Sequence, residues 1–178
     1  MTPEEVEKVL FVSESAKYGD KYIEHLLEQY KIYINAAEAI SDRRQKANEF
    51  FLALNTALVT VLGYLTAKGG LPSLAAVLTL ASVAGIAMGY LWYRILQSYK
   101  GLNGGKYKVV HAIERRLPLA LYDTEWEMLG RGENKKLYWP FTHIELLVPW
   151  IFISIYVVIL ISAIPWKAVA TALYVAHF

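Results

Sequence analysis

Two short runs hold the residue types that most often carry chemistry. His111-Ala112-Ile113-Glu114 sets an imidazole and a carboxylate three residues apart, on one face of a helix, and His143-Ile144-Glu145 adds a second pair. Brought together, these side chains would offer ligands to a divalent metal, or the acid and base of a membrane enzyme acting on lipid. Nothing in the spacing joins the two pairs, and Glu145 serves equally well as a capping residue. Asp123, Glu125 and Glu127 read as the solvated start of a short helix rather than as paired acids. Gly101-Leu102-Asn103-Gly104-Gly105 lacks the Lys-Ser or Lys-Thr of a phosphate-binding loop and reads as a turn. There are no cysteines, which excludes disulfides, thiolate metal sites and cysteine nucleophiles. The expectation is therefore a non-enzyme, with no catalytic residues, no cofactor and no metal.

The elements that would have to position these residues are governed by a membrane. Of 178 residues, 56% are hydrophobic and 19% charged, against roughly a quarter charged in a typical soluble domain. Both signs of charge crowd into residues 1–49 and 94–145 and nearly vanish elsewhere. Three stretches approach the roughly 20 apolar residues that a helix needs to cross a hydrocarbon core about 30 Å thick. They are 50–67, 72–93 and 146–166, the last reading LLVPWIFISIYVVILISAIPW. A chain this short could not wrap three such helices in enough polar covering to stay in water. The first apolar run follows 49 mostly polar residues, unlike a cleavable signal peptide.

Orientation follows from Lys and Arg, which concentrate in short cytoplasmic loops. Seven precede the first span, Lys68 alone lies in the hairpin between the first two, nine lie between the second and third, and Lys167 alone follows. The expected fold is all-α, with the N-terminus inside, residues 1–49 and 94–145 in the cytosol, a 50–93 transmembrane hairpin, a third span at 146–166 and a short outer tail at 167–178. Trp92, Tyr93, Trp139, Trp150 and Trp166 fall near span ends, where amphipathic rings favour the interface. Arg43, Arg44, Lys46 and Arg94 are placed to meet anionic headgroups.

The polar segments are helical by pattern. Thr2-Pro3-Glu4-Glu5 forms a capping box with proline at the first helical position, starting a helix that ends before Gly19. Asp20 can cap a continuous helix from Asp20 to Ala67, ~70 Å long at about 1.5 Å per residue. Its stripe of Ile23, Leu27, Tyr30, Ile34 and Ala37 must pack on something, within or between copies, and turns polar at Ser41, Arg44 and Asn48. A second helix, Lys106 to Leu117, offers Tyr107, Val110, Ile113 and Leu117 as the partner face before Pro118 stops it. Thr124-Glu125-Trp126-Glu127 is a further capping-box candidate, and Gly130-Arg131-Gly132 marks the end of that short helix. Thr142 and Glu145 can form another capping box at the third span, with Phe141 and Leu146 as its hydrophobic staple.

Within the spans the informative positions are few. Asn55, Thr56 and Thr60 are polar groups in the first span, and an amide at that depth seeks a protein partner or a water-filled lumen. Gly85 and Gly89 form a GxxxG pair that lets another helix approach closely. No span centre carries a charge, which disfavours a proton pump, a voltage sensor or a charge-selective filter.

The run from Ser41 through Phe51 with Asn55-Thr56-Ala57-Leu58 resembles the entrance to the first span in the RipA-like family of octameric bacterial inner-membrane proteins. So do Tyr99-Lys100-Gly101-Leu102-Asn103 with Lys106-Tyr107, Glu114, Leu117-Pro118, Glu125-Trp126, and Glu145 with Pro149, Phe152 and Tyr156. The resemblance implies a multi-pass protein of the bacterial cytoplasmic membrane that forms a homo-oligomer of eight chains, is linked to envelope physiology, and carries no catalytic residues. A looser similarity is to SLATT-type pore-forming proteins of bacterial defence systems, from which the third span and the large inner loop depart. Three functions follow: a scaffold or regulator built as a closed ring or pore, a pore-forming effector, or a lipid enzyme using His111, Glu114, His143 or Glu145. Expected partners are other copies of the chain, membrane lipids and a cytosolic protein, with no nucleic acid.

Overall fold

The computed structural model describes residues 2–69, 73–133, 138 and 140–164. All regular structure among them is helical: α1 (Pro3–Leu10), α2 (Ser15–Tyr18), α3 (Tyr22–Lys68), α4 (Leu74–Glu114), α5 (Leu121–Met128), a single 3-10 turn at Gly130–Gly132, α6 (Phe141–Glu145) and α7 (Leu147–Ala163). Three helices are long and apolar enough to cross a membrane: α3, α4 and the segment His143–Ala163 that contains α7. The tail at 167–178, Trp139, Trp166, Pro72 and the rest of the hairpin connection beyond Gly69 lie outside the described residues.

The chain divides into two compact units. One comprises residues 1–46 and 96–144, the other 47–95 and 145–178. The expected capping box at Thr2 is present: its hydroxyl accepts from the Glu5 amide at 3.3 Å and the Glu5 carboxylate accepts from the Thr2 amide at 2.8 Å. The helix it starts is short and ends before Gly19: the chain leaves it at Phe11 and resumes one turn of helix at Ser15–Tyr18. α3 begins at Tyr22, whose amide bonds the Gly19 carbonyl, and runs unbroken for 47 residues.

Three local expectations fail. The Gly101–Gly105 run is not a turn but lies within α4, which is continuous for 41 residues. Each helical glycine costs only about 1 kcal/mol relative to alanine, and neighbouring side chains offset that. Asn103 donates to the Ser41 hydroxyl at 3.2 Å, and the Lys106 ammonium sits 4.4 Å from the centre of the Tyr33 ring. Thr124 likewise caps nothing, since α5 already starts at Leu121 after a non-helical Ala120. At the third span α6 starts at Phe141, which puts Thr142 inside the first turn rather than ahead of it; the Thr142 side chain is outside the described residues.

In the apolar unit, Leu62, Leu78 and Tyr156 form the core, with Leu58, Ala81, Ile86 and Phe152 packed around them. A side-chain carbon added at Gly85 would lie 2.6 Å from the Tyr156 ring, and one at Gly89 2.6 Å from Ile153. The two glycines are thus where α7 meets α4. Pro149 sits in the first turn of α7, where a missing amide hydrogen is harmless. Trp92 was expected at the lipid interface, yet it is fully buried, stacked 6.0 Å from Phe51, and donates its indole hydrogen to Asn48 at 3.0 Å. Tyr93 and Trp150 meet edge to face at 5.3 Å, with Trp150 half exposed.

Candidate functional site

The polar unit is organised around one buried carboxylate. Glu114 ends α4, and the turn that follows, through Arg115–Leu117 and Pro118, brings α5 back so that its first amides face that residue. One carboxylate oxygen accepts from the Tyr122 amide at 3.0 Å, the other from the Asp123 amide at 3.0 Å. The Tyr30 hydroxyl of α3 donates to the first oxygen at 2.8 Å. All three partners are donors, so the group works purely as an acceptor. It supplies from a distance what an N-cap side chain supplies locally, and its negative charge meets the positive end of α5. Burial, then the bond to Glu114 and its charge, push the Tyr30 phenol well above its ordinary range.

Around this node α3 presents Leu26, Tyr30, Tyr33, Ile34 and Ala37 as its inner face, and α4 presents Val110, Ala112 and Ile113. Ile23 is 56% and Leu27 40% exposed in the single chain, so in the first turns the inward position has shifted by one residue, to Leu26. Arg43, Lys46 and Arg94 are exposed, and Arg44 is partly buried.

One turn before Glu114, His111 Nδ1 lies 3.4 Å from the Asp123 carboxylate. Arg131 reaches the same carboxylate at 3.8 Å and binds Glu127 through its Nε at 2.6 Å. The bond to Glu127, before the other nearby carboxylates, raises the Arg131 pKa further. Arg131 holds φ 51° between Gly130 at 64° and Gly132 at 73°, a left-handed run that glycine takes freely and arginine rarely. These groups edge a cleft of about 760 Å³, within the range of small-molecule sites, whose walls include Pro3 and Val6 of α1, Tyr107 and Lys108 of α4, Tyr122, Glu125 and Trp126 of α5, and Tyr138.

The residues singled out from sequence are therefore dispersed. His111 meets Asp123, Glu114 is committed to Tyr30 and α5, and His143 lies 3.3 Å from Lys100. Glu145 is buried in the apolar unit. Among the described residues no group of three or more His, Asp or Glu side chains could hold a metal ion. Sequence reasoning missed the cleft. Asp123, Trp126 and Arg131 were read as parts of a short helix and its end, and only the fold shows them facing α4.

Asn55 is fully buried within the apolar unit. Its amide nitrogen donates to its own helix at the Phe51 carbonyl, 2.8 Å away, and its oxygen accepts from the Tyr156 hydroxyl at 3.0 Å. It therefore faces α7 of its own chain. Thr56 and Thr60 are exposed on the single chain, with the Thr60 hydroxyl turned back to the Thr56 carbonyl at 2.8 Å.

Compared with known families, residues 27–165 match the model described as the octameric membrane protein family, 8xMP. Searches of curated proteins and of solved structures return no match.

Proposed function

The chain belongs to the octameric membrane protein family, and on that premise we propose that copies of it close into a ring in the bacterial inner membrane and act as a scaffold or regulator of envelope physiology. In this proposal the polar unit faces the cytosol and does the work there, through a protein partner, while the spans hold the ring together among lipids. The observation that supports a quiet ring over a conducting one is the fate of the membrane-depth amide. Asn55 spends its hydrogen bonds inside its own protomer, on Phe51 and Tyr156. Of the polar groups singled out in the first span, that leaves Thr56 and Thr60 as neutral hydroxyls with which to line a path, and the Thr60 proton is already given to the helix backbone. Neither can replace an ion's hydration shell as a ring of carbonyls or charges does.

His111 and Asp123, in the same proposal, order the wall of a binding cleft and catalyse nothing. The test is paired. Native mass spectrometry of the purified complex should give eight copies, and protein in liposomes should show little spontaneous ion flux. A monomer would remove the ring. Steady single-channel currents that change with Thr60→Val would make the pore reading primary.

A further inference from the structure

We propose that the cleft between α4 and α5 binds a zwitterionic molecule that carries a planar ring, an aromatic amino acid or a short peptide containing one. The class follows from which lining groups are already engaged. Arg115 is held by Glu7 at 2.8 Å, Arg131 by Glu127 and Asp123, and Asp123 also by His111. Each of those charges has a partner of opposite sign or an imidazole beside it. Two lining charges have no ion pair with any described residue: Lys108 on α4 and Glu125 on α5. One is positive and one negative, and each stands on a different helix that lines the cleft. A ligand with a single charge would satisfy one and repel the other, whereas a carboxylate and an ammonium in one molecule satisfy both.

The walls add the ring. Tyr107 and Tyr122 lie 5.8 Å apart and Trp126 meets Tyr138 edge to face at 6.3 Å, so two aromatic pairs border one space. Their three hydroxyls and the indole N–H make no hydrogen bond to any described residue, which leaves polar ends beside apolar faces, the usual make-up of a specific small-molecule site. At about 760 Å³ the space exceeds one amino acid and accommodates a short peptide. The proposal goes beyond the ring scaffold and does not depend on it.

The test compares L-tryptophan with tryptamine, which lacks the carboxylate, and indole-3-propionate, which lacks the ammonium, by equilibrium dialysis against the intact purified complex. L-tryptophan should bind saturably and at least tenfold more tightly than either analogue. Lys108→Ala should erase its advantage over tryptamine, and Glu125→Gln its advantage over indole-3-propionate. Lys17→Ala, a surface change outside the cleft, should leave all three affinities unchanged. Both cleft side chains are exposed, so the variants should keep the wild-type helix content and complex mass. Glycyl-tryptophan binding more tightly than tryptophan would support the peptide form of the ligand. No saturable binding of either zwitterion, equal affinities for all three indoles, or a preference untouched by both substitutions would overturn the proposal.

Discussion

Glu114 ties α3, α4 and α5 together within the polar unit. Glu114→Ala strands two amides of α5 and the Tyr30 hydroxyl, and should cost about 2–4 kcal/mol, read as a lowered thermal midpoint of the detergent-solubilised protein. Glu114→Gln keeps one acceptor oxygen but turns a donor toward the other amide, so its loss should fall between wild type and alanine. An equal loss for Gln and Ala would mean that charge alone matters. Tyr30 adds a pH signature. Its folded pKa is raised, so the folded protein keeps a proton that the unfolded chain loses near pH ~10. The stabilisation from Tyr30 is complete below that value and is lost as pH climbs through the folded one. Unfolding midpoints followed above pH ~10 should fall less steeply in Tyr30→Phe than in wild type. Tyr33 and Tyr107, also raised by burial, keep part of the slope.

At the scale of helices, glycines separate by what surrounds them. Gly85→Ala would drive a methyl into the Tyr156 ring and should destabilise by about 1–3 kcal/mol. Gly101→Ala meets open space and should stabilise α4 by up to about 1 kcal/mol. Melts of the two variants that shift in the same direction would contradict this assignment. The contrast also marks what could be read from the chain alone. Hydropathy located the three long apolar helices, because run length against bilayer thickness is a local property. The Thr2 cap was equally legible, its partners being three residues apart. The glycine run misled because propensity is a weak prior that packing overrides. The α5 cap could not be read at all: Glu114 lies eight and nine residues from the amides it holds and 84 from Tyr30, separations that only the tertiary fold closes.

For the whole molecule, the decisive prediction is sidedness. If the proposed orientation holds, single cysteines placed at Lys68 and Lys108 will label oppositely with an impermeant reagent in intact cells, the first reacting and the second protected. Both positions are exposed, so access will reflect the membrane alone. Reaction at both would place the cleft outside the cell and break the link to a cytosolic partner. The family match covers residues 27–165 and so takes in both units, while α1, which walls the cleft, falls before it.

The bond between Asn55 and Tyr156 also bears on the order in which the protein is made. A ribosome finishes Asn55 a full 101 residues before it reaches Tyr156, so the first span enters the bilayer with the amide's outward oxygen unmatched. The donor arrives only when α7 is inserted, and the contact is worth about 0.5–2 kcal/mol in such surroundings. Chains that stop before α7, or carry Tyr156→Phe, should persist longer in the hands of membrane chaperones and proteases, and pulse-chase turnover of that variant should run faster than wild type even where its mature assembly is intact.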